Sequence, residues 1–193
     1  GLPGEVSAQC DEATKVAQHF GGLAIPQDEL QEYWENRHAI ADRWASDPDL
    51  REGHWLATPY GQSQFDFLHM AIPPTALLEF RAQAFRFMQE HDVFLCEEGV
   101  WIWPECYALV LYCRQTKDNN AAVLMRNTTE AIYRLAQNLG GSIEYVHGVG
   151  VRLGHLMERE LGNSSHILRS LKTIFDPDGI LNPGKLGLAV EQK

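Results

Sequence analysis

Three patterns predict an α+β fold. Apolar residues recur at helical spacing in several separate stretches, while "SQFDFLHMAI", "VFLCEEGVWIW" and "CYALVLYCRQT" have the β-branched and aromatic character of strands. In the second half the order of elements is strand, helix, strand, strand, helix and a short strand, "SIEYV". That order fits a βαββαβ, ferredoxin-like layout, an antiparallel sheet with helices on one face. Residues 1–60 then form a partial first half, mostly helical and lacking its opening strand. Residues 61–193 form the second half, with C-terminal helices and an "NPGK" tail.

The first helix is expected from Val6 to Phe20, where Val6, Cys10, Ala13, Ala17 and Phe20 share a stripe and Gly21-Gly22 stops it. A second should run from about Gln27 to Trp44, opening after Pro26 and closing before "SDPDLREGH". The strand "SQFDFLHMAI" ends at Pro73-Pro74, after which Thr75 is placed to cap a helix with Leu77, Phe80, Ala84, Phe87 and Met88 on one side. The next two strands join around Gly99 and Pro104, and alternation puts Trp101 and Trp103 on one strand face. A long helix is expected from about Asn120 to Leu139.

The glycine-stopped exits "VAQHFGG" and "LAQNLGG" resemble one another, a weak internal repeat in keeping with two similar halves. After the helical stretch "HLMEREL", Ser164 or Ser165 should cap a last helix that buries Ile167, Leu168, Leu171, Ile174 and Phe175. Pro177 stops it, Asp178-Gly179 turns the chain, and Ile180-Leu181 is expected to pin a returning strand.

Composition narrows the function. At 193 residues, 45% of them hydrophobic and 22% charged, the chain can bury a sizeable core. A formal charge of −10 repels a phosphate backbone and no basic run offsets it, so nucleic acid is not an expected partner. No apolar run approaches the ~20 residues of a membrane helix. Cys10, Cys96, Cys106 and Cys113 contain no CxxC pair and read as small hydrophobes in a reducing cytoplasm.

The segment "EYVHGVG", just after "LGGSI", sets His147 beside Gly148 with Gly150 close behind. Glycine loses more entropy on folding than any other residue and packs no side chain, so this cluster points to a positive φ or a close approach by another group.

The stretches "GGSIEYVHGVG" and "LKTIFDPDGILNPGKLGL" resemble the two signatures of the C-terminal domain of FAD-linked oxidases, and "YWENRH" resembles that family's WxxR. The family includes D-lactate and other D-2-hydroxy-acid dehydrogenases, the glycolate oxidase flavin subunit and alkyldihydroxyacetonephosphate synthase. The resemblance implies a cap domain that lies over the flavin ring of a separate FAD-binding domain. That domain is expected upstream, because the chain opens on "GLPGE" without methionine and holds no GxGxxG loop. It also implies a small hydroxy-acid or alcohol substrate oxidised by hydride transfer to flavin. An electron-transfer partner or a second copy of the chain is a further expectation.

By this resemblance His147 matches the histidine of an EHGxG or HHGxG turn, which takes the substrate hydroxyl proton or, when charged, holds an anion. The alternative for His147 is a structural, hydrogen-bonded histidine in a tight turn. Arg37 is the candidate for a substrate carboxylate or phosphate, against a solvated arginine near Glu35. Arg114 and Arg152 are secondary candidates for the same role. Tyr145 lines the pocket or joins the core. Gly148, Asn182 and Lys185 are expected on the cofactor side. No metal is expected, because Val146 stands where the 2-hydroxy-acid branch has a glutamate ligand, and "CEEGVWIWPEC" stands in place of its two-histidine stretch. The other histidines, His69 among them, lack ligand spacing and read as surface or core fillers. Two rival functions remain: an alkyldihydroxyacetonephosphate-synthase-like flavin transferase, and a non-catalytic cap retained for assembly.

Overall fold

The structure, a computed structural model, describes residues 2–101 and 103–188. The chain divides into two compact units, Gly1–Glu52 and Gly53–Lys193. Helices are the regular elements of the first among its described residues: α1 (Pro3–His19), α2 (Gln27–Asn36), α3 (Ala39–Ser46) and α4 (Pro48–Arg51). Pro3 opens α1 where a missing N–H costs nothing. Gly21, at φ +81°, closes it, with the Gly22 N–H returning to the Ala17 carbonyl at 2.8 Å. The helix expected over Gln27–Trp44 is broken at Arg37-His38. Side chains satisfy the last carbonyls of α2 there: Asn36 Nδ2 donates to Glu32 O at 2.9 Å and the Arg37 guanidinium to Trp34 O. None of the described residues of this unit is buried.

The second unit holds the core. After a 3₁₀ turn at His54–Leu56 come a small hairpin, β1 (Ala57–Thr58) and β2 (Gly61–Gln62), then β3 (Gln64–Ala71), α5 (Leu77–Glu90), β4 (Phe94–Val100), β5 (Cys106–Cys113) and α6 (Ala121–Asn138). The main sheet is antiparallel in the order β3-β5-β4, with Leu68 opposite Leu109 and Met70 opposite Tyr107. One sheet face, with Leu68, Met70, Tyr107, Leu109 and Leu111, packs against Phe80, Ala84 and Met88 of α5 and Met125, Ile132, Tyr133 and Ala136 of α6. The molecule is therefore α+β, with antiparallel sheets and a helical layer on one side of the larger sheet.

The expected fourth strand "SIEYV" is reduced to one antiparallel bridge, Ala71 with Ser142, and one further bond from Tyr145 N to His69 O at 2.9 Å. It still lies along the free edge of β3, as the βαββαβ topology requires. Glu144 interrupts the ladder: its φ of +49° is left-handed, which no strand residue adopts.

Five other expectations are corrected. Thr75 does not cap α5; it sits inside a 3₁₀ turn, Pro74–Ala76, which the two prolines pre-shape, and α5 starts at Leu77 without a side-chain cap. Trp101 and Trp103 lie beyond the end of β4, because Pro104 cannot donate to a ladder and the chain turns there, with Cys106 N bonded to Trp103 O. The last helices are α7 (Met157–Leu161) and α8 (Ser164–Phe175). Neither Ser164 nor Ser165 caps α8, which follows Asn163 without a side-chain bond. Its expected buried side is open: Ile167, Leu171, Ile174 and Phe175 are exposed, Leu168 is half-buried, and only Ser165 is buried. Finally, Ile180-Leu181 forms no strand. Both N–H groups bond to the Asp176 carboxylate at 2.9 Å, and this side-chain-closed turn takes the hydrogen bonds a ladder would need.

Candidate active site

The turn carrying His147 is fastened at both ends. Ile143 and Val149 are buried in the core, and Glu160 of α7 accepts from Ile143 N at 3.1 Å and from the Ser142 hydroxyl. Gly148, between these anchors, and Gly150, just past the second, take φ of +75° and +56°, the freedom that the glycine cluster implies. The imidazole is thus carried outward, its side chain 63% exposed.

It borders a pocket of about 370 Å³ lined by Phe67, Glu144, Gly148 to Leu153 and Lys185. Lys185 arrives from the tail. After Asn182, at φ +47°, and Gly184, at φ +73°, the chain turns back, and Leu186 N bonds to Gly150 O at 3.1 Å. Gly154 and Gly187 make this return feasible: a Cβ on Gly154 would lie 2.5 Å from Gly187 N. Asn182 lines a neighbouring pocket of about 340 Å³ together with Lys172, Phe175 and Lys185.

Beneath His147 lie three groups that the sequence reading passed over. His69, on the sheet face opposite the helices, is buried under two rings, with His147 at 4.7 Å and Trp101 at 5.3 Å between centroids, both edge-on. Small residues beside it in the ladder, Ala108 and Gly99, leave room for the indole. Glu144 is buried, and its carboxylate accepts from the Tyr133 hydroxyl at 2.5 Å, with the other oxygen 3.7 Å from His147 Nδ1. Burial, and after it the nearness of His147, lowers the pKa of His69, while the Glu144 charge acts in the opposite direction. The Tyr133 phenol is driven far above its ordinary range, first by burial and then by its bond to Glu144, so it stays a donor. Alternation along β3 was the signal that could have lifted His69 from the fillers, since it shares a face with Phe65 and Phe67 and not with Leu68 and Met70. Nothing local marks Glu144; only its left-handed backbone turns it inward.

Arg37 belongs to the first unit, where its guanidinium lies 4.0 Å over the Trp34 ring and donates to that residue's carbonyl. The Tyr145 hydroxyl donates to Glu105 at 3.0 Å, which raises its pKa and turns the ring from the His147 pocket toward the loop after β4. Arg152 lines the pocket with its guanidinium bonded to Asp66 at 2.6 Å. Among the described residues no three His, Cys, Asp or Glu side chains are grouped to hold a metal ion.

The domain thus combines an antiparallel sheet, a one-sided helical layer, a glycine-hinged histidine on the sheet edge and a returning lysine tail. Comparison with known proteins identifies it: the model of the family "FAD linked oxidases, C-terminal domain" matches residues 3–186, and the chain belongs to that family. It is 41% identical over 179 residues to a D-lactate dehydrogenase of Archaeoglobus fulgidus, covering 92% of this chain and 36% of that protein. It is 26% identical over 125 residues to a D-2-hydroxyglutarate dehydrogenase of Haemophilus influenzae, covering 63% and 12% of the two chains. The chain thus spans about a third or less of these relatives. Among solved structures, 4-ethylphenol oxidase from Gulosibacter chungangensis in complex with isoeugenol aligns over 69% of this chain and 26% of its own, with 22% identity and a TM-score of 0.49.

The residues at the pocket suit one end of a flavin. A Cβ at Gly148 would meet nothing within 4 Å, so space is open beside the imidazole, and Lys185 supplies a positive charge there. Among the described residues no glycine loop offers to cradle a pyrophosphate.

Proposed function

We propose that this chain is the substrate-covering cap of an FAD-dependent oxidoreductase that oxidises a 2-hydroxy acid or related alcohol, with His147 as the group that takes the hydroxyl proton. The observation carrying this reading is the exposed His147 imidazole in a pocket that the tail's Lys185 also lines. The names of the relatives support the substrate class, since lactate and 2-hydroxyglutarate are both 2-hydroxy acids.

Bound FAD supplies the hydride acceptor. The chain's own residues do the rest. Lys185, an ammonium at the pocket, attracts the substrate carboxylate. A neutral His147 removes the hydroxyl proton as the α-hydrogen departs, a contribution of roughly 10²–10⁴ in rate for a well-placed general base. Gly148 leaves the space that ring and substrate share, and Gly148, Asn182 and Lys185 form the side turned to the cofactor. The partner in this reading is an FAD-binding domain on the same polypeptide, and four free cysteines suit a reducing cytoplasm.

The test is anaerobic reduction of the flavin-loaded full-length protein by a panel of D-2-hydroxy acids. His147→Ala should bind flavin normally and slow bleaching by about 10²-fold or more. Unchanged bleaching in that variant would overturn the assignment. Flavin that binds but is reduced by no hydroxy acid or alcohol would favour the transferase or the assembly cap.

A further inference from the structure

Proton removal by His147 leaves the carboxylate beneath it without a task. We propose that Glu144 is a positioning residue: its Oε2 holds His147 in the tautomer protonated on Nδ1, so that Nε2 is the bare, basic nitrogen presented to the pocket. This inference rests on the reading of His147 given above.

The geometry is unusual for a turn residue. Glu144 adopts a left-handed backbone at φ +49°, and its side chain is only 6% exposed, whereas a glutamate in a surface turn ordinarily faces water. The inward carboxylate is anchored on one side only. Oε1 accepts from the buried Tyr133 hydroxyl of α6, at 2.5 Å, while buried Oε2 has no hydrogen-bond partner among the described residues. Buried carboxylate oxygens are rarely left in that state. His147 Nδ1 stands 3.7 Å from Oε2, and the exposed imidazole has room to turn toward that oxygen in the free chain.

The other groups facing this pair do not compete. His69, stacked edge-on against His147, has its pKa lowered by burial first and by His147 second, which favours its uncharged form. Arg152 is engaged with Asp66, and Lys185 lies along the open pocket. Tyr133, held as a donor, cannot accept a proton from the carboxylate side. A carboxylate accepting from Nδ1–H fixes both tautomer and ring orientation.

The experiment is ¹⁵N NMR of the histidine rings in the 193-residue chain, free of flavin, at a pH where His147 is neutral. Wild type should show His147 protonated on Nδ1. In Glu144→Gln the Tyr133 hydroxyl donates to the new amide carbonyl, the amide NH₂ turns to Nδ1, and the proton should move to Nε2. Tyr133→Phe leaves the carboxylate in place and should keep the wild-type tautomer. Nε2 protonation in wild type, or an unchanged tautomer in Glu144→Gln, overturns the proposal, and the first of these needs no variant to fold. In the flavin-loaded full-length enzyme, Glu144→Gln should lower kcat about 10²-fold with KM unchanged. Normal reduction in His147→Ala would overturn the proposed function and leave the tautomer result standing; a tautomer indifferent to Glu144, with reduction lost in His147→Ala, overturns only this inference.

Discussion

Arg81, on α5, grips Glu98 of β4 through both Nε and Nη2, and the Tyr107 hydroxyl donates to the same carboxylate. The Arg81 bonds, more than the Tyr107 bond, hold Glu98 below the ordinary carboxyl value of 4.5. A depressed carboxyl stabilises the fold above its unfolded value and ceases to do so as pH falls through its native one. Arg81→Ala should therefore destabilise the fold at pH 7 and do so less at pH 3. Denaturant melts at the two pH values check this; an equal cost at both would refute it. His69 acts in the same direction. Its native pKa lies below the ordinary 6.5, so the unfolded chain takes up that proton first and the fold weakens on acidification below pH 6.5.

Helix exits show how one local motif serves two settings. Gly21-Gly22 and Gly140-Gly141 close α1 and α6 alike: the first glycine has φ near +80°, and the second returns its N–H 2.8 Å to an alanine carbonyl, Ala17 or Ala136. The resemblance of "VAQHFGG" to "LAQNLGG" is therefore a shared cap. Only the second exit is also wedged against a strand. A Cβ on Gly141 would lie 2.4 Å from Ala71 O and 2.9 Å from Ala136 O, both backbone atoms that cannot swing aside. Gly140, by contrast, needs its positive φ but has open space, with Pro73 Cγ at 4.0 Å. Gly140→Ala should cost roughly 1–2 kcal/mol for the left-handed conformation. Gly141→Ala should cost more, about 3 kcal/mol, as expected for overpacking against fixed atoms. Chemical denaturation of the two variants decides the order.

At the scale of the molecule the core is one-sided. Every member of the buried hydrophobic cluster lies between Leu68 and Met157, all within the second unit. A chain of residues 53–193 should then unfold cooperatively, with the denaturant midpoint of the matching transition in the full chain; a midpoint lowered by more than about 1 M would contradict this. The exposed apolar row of α8, with Phe175 at 77% exposure, belongs to the same pattern. Its helical period was legible, but period tells only that residues share a face, not whether anything covers that face.

The sequence by itself determined the α+β class, the order of helices and strands after Gln64, the glycine hinge at His147 and the membership that its two signature stretches carry. These are local matters of period, capping and spacing, and neighbouring residues specify them. Only the tertiary structure decided that "SIEYV" is a single bridge, that Asp176 closes a turn where a strand was expected, and that Glu144 and His69 gather under the imidazole. Those outcomes depend on left-handed backbone at single residues and on β3, α6 and the 144–150 turn meeting across up to 78 residues of chain, from His69 to His147, which no short window of sequence contains.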